Sequence, residues 1–159
     1  MSPQIAEAEG ALVRVKTLLR GEIEVPDDQV LTFVEPLVGF EHLSRFVLYQ
    51  TSEGPLYWLQ SAENAEVAFA LLAPFEAGLD PDMAIGPQDL ADIEVSDPER
   101  VAVYTMVVLA KDPKDSRTNL RAPILVSKDG SKAKQVILDD PNLAVQFPLS
   151  KLLPPGQAT

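Results

Sequence analysis

The sequence contains no cysteine and only one histidine among its 159 residues. Without thiols the chain can form no disulfide, no thiolate zinc site and no cysteine nucleophile. Long hydrophobic runs are also missing, because the best apolar stretch, Val101–Ala110, reaches about half of the ~20 residues of a membrane-spanning helix. Residues 1–10 carry two glutamates where a secretory signal would show basic residues and an apolar run. These absences predict a soluble, cytoplasmic protein that does not enter a membrane.

Basic residues are absent from the middle third of the chain. The formal net charge is -11, and residues 46–99 contain 11 Asp and Glu but no Lys or Arg. The remaining residues are neutral in sum, although residues 100–134 carry a net charge of +5. Because binding to nucleic acid or anionic membrane depends on clustered Lys and Arg, this distribution argues against direct contact with either. A basic protein is the natural complement of such a segment.

Motifs that perform catalysis or bind cofactors are equally scarce. His42 has no serine in a G-x-S-x-G turn and no acid at a recognisable spacing, which favours an ordinary surface or turn histidine. The carboxylate pairs Asp27/Asp28 and Asp139/Asp140 adjoin proline or turn residues, where proton sharing is geometrically unfavourable. The eight glycines form neither a P-loop nor a dinucleotide fingerprint. We therefore assign no catalytic, cofactor-binding or metal-binding residue.

Period-two alternation of apolar and polar residues dominates the chain and predicts strands. Turn signals rich in Pro, Gly, Asp and Asn separate these strands. One short helix is predicted at Pro87–Ile93, and Val101–Leu109 is apolar at both parities, as in a central strand covered on both faces. The predicted strands are Leu12–Leu19, Gly21–Val25, Val30–Phe33, Arg45–Thr51, Leu56–Ser61, Val67–Ala73, Val101–Leu109, Pro123–Ser127, Lys134–Leu138 and Leu143–Phe147.

This pattern predicts an all-β, mainly antiparallel fold, namely a small β-barrel-like or sandwich domain with one or two short helices. One domain is expected over residues 11–153, between an N-terminal tail of residues 1–10 and a C-terminal tail of residues 154–159. Tyr57 and Trp58 are neighbours on one predicted strand, so one of them should face the core and the other should face outward. An outward aromatic residue among carboxylates suits a protein interface.

Six blocks of residues follow one another along about residues 12–149. They are Gly21–Val25, Val30–Phe33 with Gly39–Glu41, Tyr57–Ser61, Ala68-Phe69 with Pro74-Phe75, Thr118–Leu120 with Ala122–Ile124, and Lys134–Leu138. Each block is weak evidence alone. Together and in this order they closely resemble the FliW family of flagellar assembly factors.

The resemblance implies a function as well as a fold. FliW proteins resemble small β-barrel-like domains, are not enzymes, and bind two protein partners. The partners are flagellin and the mRNA-binding translational repressor CsrA. Once flagellin is exported, freed FliW binds CsrA and relieves its repression of flagellin translation. This switch is linkage by mass action, because each partner lowers the free pool available to the other.

Two sets of residues are candidates for partner binding. The first follows from the shared blocks and the aromatic pair, and consists of Tyr57, Trp58, Asn119, Leu120, Pro123, Gln135 and Ile137. The second is an acidic docking surface for CsrA, whose RNA-binding face must be basic. It consists of Glu53, Glu63, Glu66, Glu76, Asp80, Asp82, Asp89, Asp92 and Glu94. The alternative role for Asn119 and Gln135 is hydrogen bonding to sheet edges.

Two other function classes stay open at this point. The chain could be an acidic β-barrel interaction module for another basic protein. It could also be a small-molecule-binding barrel, since fold alone does not fix function. A deep pocket with convergent polar groups would favour the second of these alternatives.

Overall fold

The computed structural model describes residues 12–51, 54–128 and 131–152. The predicted tails, residues 1–10 and 154–159, lie outside these ranges. The elements are β1 (Leu12–Thr17), β2 (Gly21–Pro26), β3 (Val30–Phe33), β4 (Arg45–Tyr49), β5 (Leu56–Ser61), β6 (Ala68–Leu72), α1 (Pro87–Asp92), β7 (Val101–Val108), β8 (Arg117–Thr118), β9 (Ile124–Ser127), β10 (Lys132–Gln135) and β11 (Phe147–Pro148).

Seven of the strands close into a barrel. Around the ring the order is β7, β6, β5, β4, β3, β10 and β9, and β9 pairs again with β7. Every neighbouring pair is antiparallel except β3 with β10, which is parallel. The short strands β8 and β11 continue the sheet from the far end of β7. The predicted all-β, mainly antiparallel barrel with a short helix is confirmed.

Alternate side chains of the ring fill the barrel interior. Phe46, Leu59, Leu71 and Ile124 are fully buried there, and the ring of Phe46 packs edge-on against Phe33. The loop between β3 and β4 closes one end, because its apolar residues join the same cluster. These residues are Leu37, Phe40 and Leu43.

Three structures cover the outer face of the barrel. The β1–β2 hairpin packs Val15 onto Val30 of β3 and Val47 of β4. The segment that includes α1 places Ile93 over β7 and β9. A 3-10 helix, Leu149–Leu152, lies beside Trp58 of β5.

Gln60 fastens the hairpin to the barrel from a fully buried position on β5. Its side-chain oxygen accepts a hydrogen bond from the backbone N–H of Leu18 at 2.9 Å. Its side-chain nitrogen faces the carbonyls of Ser61, Ala65 and Val67 at 3.0–3.2 Å. One amide therefore joins the hairpin to the turn between β5 and β6.

Most predicted strands are confirmed within a few residues, and β7 is covered on both faces as predicted. Its even-numbered residues, such as Tyr104, face the interior, while Val103 and Val107 face the outer clusters. The predicted strand Leu143–Phe147 is wrong except for its last residue. Residues 143–146 follow a turn. The carbonyl of Ala144 accepts from the backbone N–H of Leu120, and the carbonyl of Leu143 accepts from the Arg121 guanidinium. The predicted strand Lys134–Leu138 ends at Gln135, and β8 was not predicted.

Replacing Gln60 by Leu should lower stability, because the backbone N–H of Leu18 would lose its acceptor. An orphaned buried donor costs about 1–3 kcal/mol, so this part-buried donor should cost a value near the lower end, which urea unfolding would measure. Gln50→Leu is the matched control, since Gln50 is exposed and, among the described residues, its side chain bonds to the nearby carbonyl of Gly54 alone. Equal stability of the Gln60→Leu variant and the wild type would contradict the fastening role.

Candidate protein-binding surfaces

The neighbouring aromatic residues of β5 point to opposite sides of the barrel wall. Tyr57 packs toward the interior cluster. Trp58 faces outward and contacts the cluster formed by Leu72 and Val107 beside Leu149. The predicted split between the two faces is confirmed. Both side chains are half-buried, so Trp58 offers only part of its ring to a partner.

Tyr57 marks the mouth of the barrel opposite the β3–β4 loop. Its hydroxyl donates to the Glu76 carboxylate, with distances of 3.0 and 3.1 Å to the two oxygens. Its ring packs edge-on against Tyr104 at a centroid distance of 5.1 Å. Burial raises the pKa of both tyrosines, that of Tyr104 to about 12, so both hydroxyls stay protonated at neutral pH. An open cavity of about 440 Å³ at this mouth is lined by Phe75, Glu76, Tyr104 and Lys128, among others.

The five candidate residues of the later blocks differ in how much surface they offer. Leu120 and Pro123 are buried, so any contribution of theirs to a partner site acts through packing. Asn119 is half-buried, and its side-chain oxygen accepts from the backbone N–H of Arg121 at 2.9 Å. Gln135 donates to the carbonyl of Ala122 at 3.4 Å. Ile137 is 66% exposed and presents the most apolar surface of the five.

The candidate carboxylates do not form one surface. Glu53 lies outside the described residues. Glu63 holds the start of β4, because its carboxylate accepts from the backbone N–H groups of Ser44 and Arg45 at 2.7 and 3.0 Å. These two hydrogen bonds lower the pKa of Glu63. Glu63 therefore supports a loop. Glu66 in the same turn is exposed, and its carboxylate has no Lys or Arg within 4.0 Å among the described residues.

Lys134 neutralises another part of the acidic segment. It lies on the outer face of β10 with its side chain 9% exposed, and its ammonium contacts Asp89 at 3.0 Å and Asp92 at 2.5 Å. Glu35 is the third carboxylate within reach, at 3.9 Å. Asp89 and Asp92 belong to α1, so this ion cluster attaches the helix to the barrel. The hydrogen bond from Lys134 lowers the pKa of Asp92, and the same bond raises the pKa of Lys134.

Asp80 and Asp82 are exposed candidate carboxylates in the segment between β6 and α1. Asp82 lines a shallow cavity of about 290 Å³ together with Asp140, which comes from outside the acidic third of the sequence. Glu94, further along, lies 3.9 Å from the ammonium of Lys132. We call Asp80, Asp82 and Asp140 the acidic patch.

A third concave surface was not predicted as a unit. It lies where β7 ends beside β8 and has a volume of about 370 Å³. We call it the β7–β8 groove. Its lining residues are Met106, Val108, Arg117, Thr118, Asn119, Val145 and Gln146. Of these lining residues, only Asn119 was predicted to bind a partner. The sequence signal for the others is the apolar end of β7, which is followed by a turn that contains lysines.

In the described ranges, no group of three or more His, Asp or Glu residues is placed to hold a metal ion. No helix among these residues is long and apolar enough to cross a membrane.

Comparison with known proteins shows which family the chain resembles as a whole. The family model described as FliW protein matches residues 14–149, from β1 to the residue after β11. The chain belongs to the FliW family. The flagellar assembly factor FliW of Ruminiclostridium cellulolyticum is 39% identical over 134 residues, which cover 83% of this chain and 90% of the relative. The FliW of Caldicellulosiruptor saccharolyticus is 33% identical and covers 84% of this chain and 88% of its own length.

The FliW fold is also found in a solved structure. The crystal structure of the flagellar assembly factor FliW matches with a TM-score of 0.80 and 27% sequence identity. The alignment covers 89% of this chain and 98% of the solved chain. The barrel and the elements that cover it therefore belong to the FliW fold.

Replacing Lys134 by Met should lower stability at neutral pH, because it leaves the carboxylates of α1 without their shared cation. The difference in unfolding free energy between the wild type and the variant depends on ionised Asp92, whose folded pKa lies below 3.8. It depends equally on charged Lys134, whose folded pKa lies above 10.5. It should hold at intermediate pH, shrink as the pH falls below 3.8, and shrink again as the pH rises above 10.5. Urea unfolding midpoints of both proteins, measured across this pH range, test whether the stability difference shrinks at each end.

Lys132→Met is the matched control, because Lys132 has a more exposed side chain and only a 3.9 Å contact with Glu94. It should cost less stability than Lys134→Met. A Lys134→Met variant as stable as Lys132→Met at pH 7 would contradict the role of the ion cluster.

Proposed function

We propose that this protein is a non-enzymatic flagellar assembly factor of the cytoplasm that binds flagellin and, when free of flagellin, binds the translational repressor CsrA. Binding to CsrA relieves repression of flagellin mRNA translation. The observation that carries the proposal is the match to the FliW family over residues 14–149. The curated relatives are named flagellar assembly factors, and the proposal extends that role to this chain.

Mass action would make the protein a sensor of unexported flagellin. Flagellin in the cytoplasm occupies the protein, and export of flagellin releases it to CsrA. Each partner reduces the free pool of protein available to the other, and the two sites need not overlap for this to occur.

The acidic patch is our proposed contact for CsrA, whose RNA-binding surface is basic. Asp80 and Asp82 are exposed, and neither carboxylate contacts a Lys or Arg within 4.0 Å among the described residues. Glu63, Asp89 and Asp92 are less suitable, because backbone N–H groups and Lys134 already satisfy them. Carboxylates at such a rim act mainly on the association rate and on its salt dependence. Once bound, they would also repel RNA phosphates from a neighbouring site.

A competition measurement tests the proposed function. Purified protein should bind flagellin and CsrA when each is offered alone, and excess flagellin should reduce the amount of CsrA bound. An mRNA fragment bound to CsrA should be released on addition of the protein. Failure to bind either partner would refute the proposal and favour a barrel that serves another basic protein or a small molecule.

The Asp80→Asn/Asp82→Asn double variant should associate with CsrA about three- to tenfold more slowly at low salt, because electrostatic steering is lost. The difference from the wild type should disappear at ~1 M salt, where the Debye length is ~3 Å. Stopped-flow association rates at several salt concentrations measure both effects.

The control is Glu22→Gln/Glu24→Gln on β2, which changes the net charge equally but alters the hairpin surface near Arg14. Its association rate should stay close to that of the wild type. Wild-type association that does not change with salt would exclude steering by the acidic patch.

A further inference from the structure

We infer that the β7–β8 groove binds an acidic segment of a partner that inserts an apolar side chain, and that this site is separate from the acidic patch. The inference rests on the proposed function in one respect, because flagellin is the partner chosen for the test. What carries it is a combination of exposed apolar surface and an uncompensated cation.

The apolar part of the groove is more exposed than a barrel strand requires. Val108 is 73% exposed and Val145 is 45% exposed on the two sides of the groove, while Met106 contributes the half-buried floor. Leu109 continues this surface at 54% exposure. Apolar side chains gathered around one concavity are typical of a binding site.

The polar part of the groove favours an acidic occupant. Arg117 pairs in register with Val108, so its side chain leaves the sheet on the same face. Within the described chain, the Arg117 guanidinium has no carboxylate within 4.0 Å and no hydrogen bond. Asn119 uses its side-chain oxygen internally, and its amide nitrogen has no acceptor among the same residues. The groove thus offers a cation and an N–H donor beside apolar walls.

Charge complementarity separates this groove from the acidic patch. The chain has a net charge of -11, yet residues 100–134, which include Val108 and Arg117, carry +5. A basic protein such as CsrA is attracted to the acidic patch and is disfavoured by Arg117. A segment with a carboxylate beside an apolar side chain suits the groove, because an exposed guanidinium binds carboxylates with two parallel hydrogen bonds.

Two groove variants test the inference with purified flagellin and CsrA as probes. Val108→Ser removes the most exposed apolar side chain, and Arg117→Glu reverses the charge. Each should weaken flagellin binding by roughly tenfold or more in Kd, as expected for a central apolar or Arg contact. Neither should change the Kd for CsrA by more than about twofold, since the groove shares no lining residue with the cavity of the acidic patch and residues outside a contact have little effect.

Two control variants make the same kinds of substitution elsewhere on the surface. Leu56→Ser removes an apolar side chain that is 47% exposed at the N-terminal end of β5, and Arg20→Glu makes the same charge change in the β1–β2 hairpin. Both should bind flagellin as the wild type does. Retained CsrA binding shows that a groove variant is folded.

The outcomes are distinct. Selective loss of flagellin binding in both groove variants supports the inference. Wild-type flagellin binding by both variants, or an equal loss of both partners, overturns it and leaves the proposed function standing. Absence of flagellin binding by the wild type refutes the proposed function and the inference together.

Discussion

Closure of the barrel is the constraint on which the rest of the structure depends. The parallel pairing of β3 with β10 and the second pairing of β9 with β7 leave these barrel strands without a free edge. A closed ring of seven strands has one small interior, and this chain has more apolar residues than that interior holds. The surplus lies on the outer face of the wall. The hairpin, the α1 segment and the last 3-10 helix bury it there, in three clusters separate from the interior.

Charge in this molecule is organised by the fold and not by the order of residues. The acidic third of the sequence contains no cation, yet β10 brings Lys134 against α1 and Lys132 against Glu94, two residues after the helix. Asp140 joins Asp82 from a different part of the chain. The acidic surface available to a partner is therefore smaller than residues 46–99 indicated. It also includes Asp140, which lies outside that segment.

Local patterns predicted the parts of the fold that depend on local chemistry. The alternation in β1 and β2, the two apolar parities of β7 and the Pro87 start of α1 all reflect which side chains are covered. The failed strand at 143–147 also alternates, but Leu143 packs against the cluster under α1 from a turn, and only Phe147 of this range lies in a strand. The features of the candidate site also fall into those that local patterns predicted and those that they did not. The opposite faces of Tyr57 and Trp58 followed from strand geometry, whereas the Lys134 cluster and the β7–β8 groove depend on contacts between distant elements.

The parallel pair has a consequence for the order of folding events. Thr32 and Lys132 are partners about one hundred residues apart, so the ring cannot close until nearly the whole described chain is available. Closing so long a loop costs entropy before any contact repays it, and such topologies fold slowly. Until closure, β3 exposes an unpaired edge of the kind that templates aggregation. During synthesis the nascent chain therefore passes through an open sheet, and the segment after β9 completes the fold.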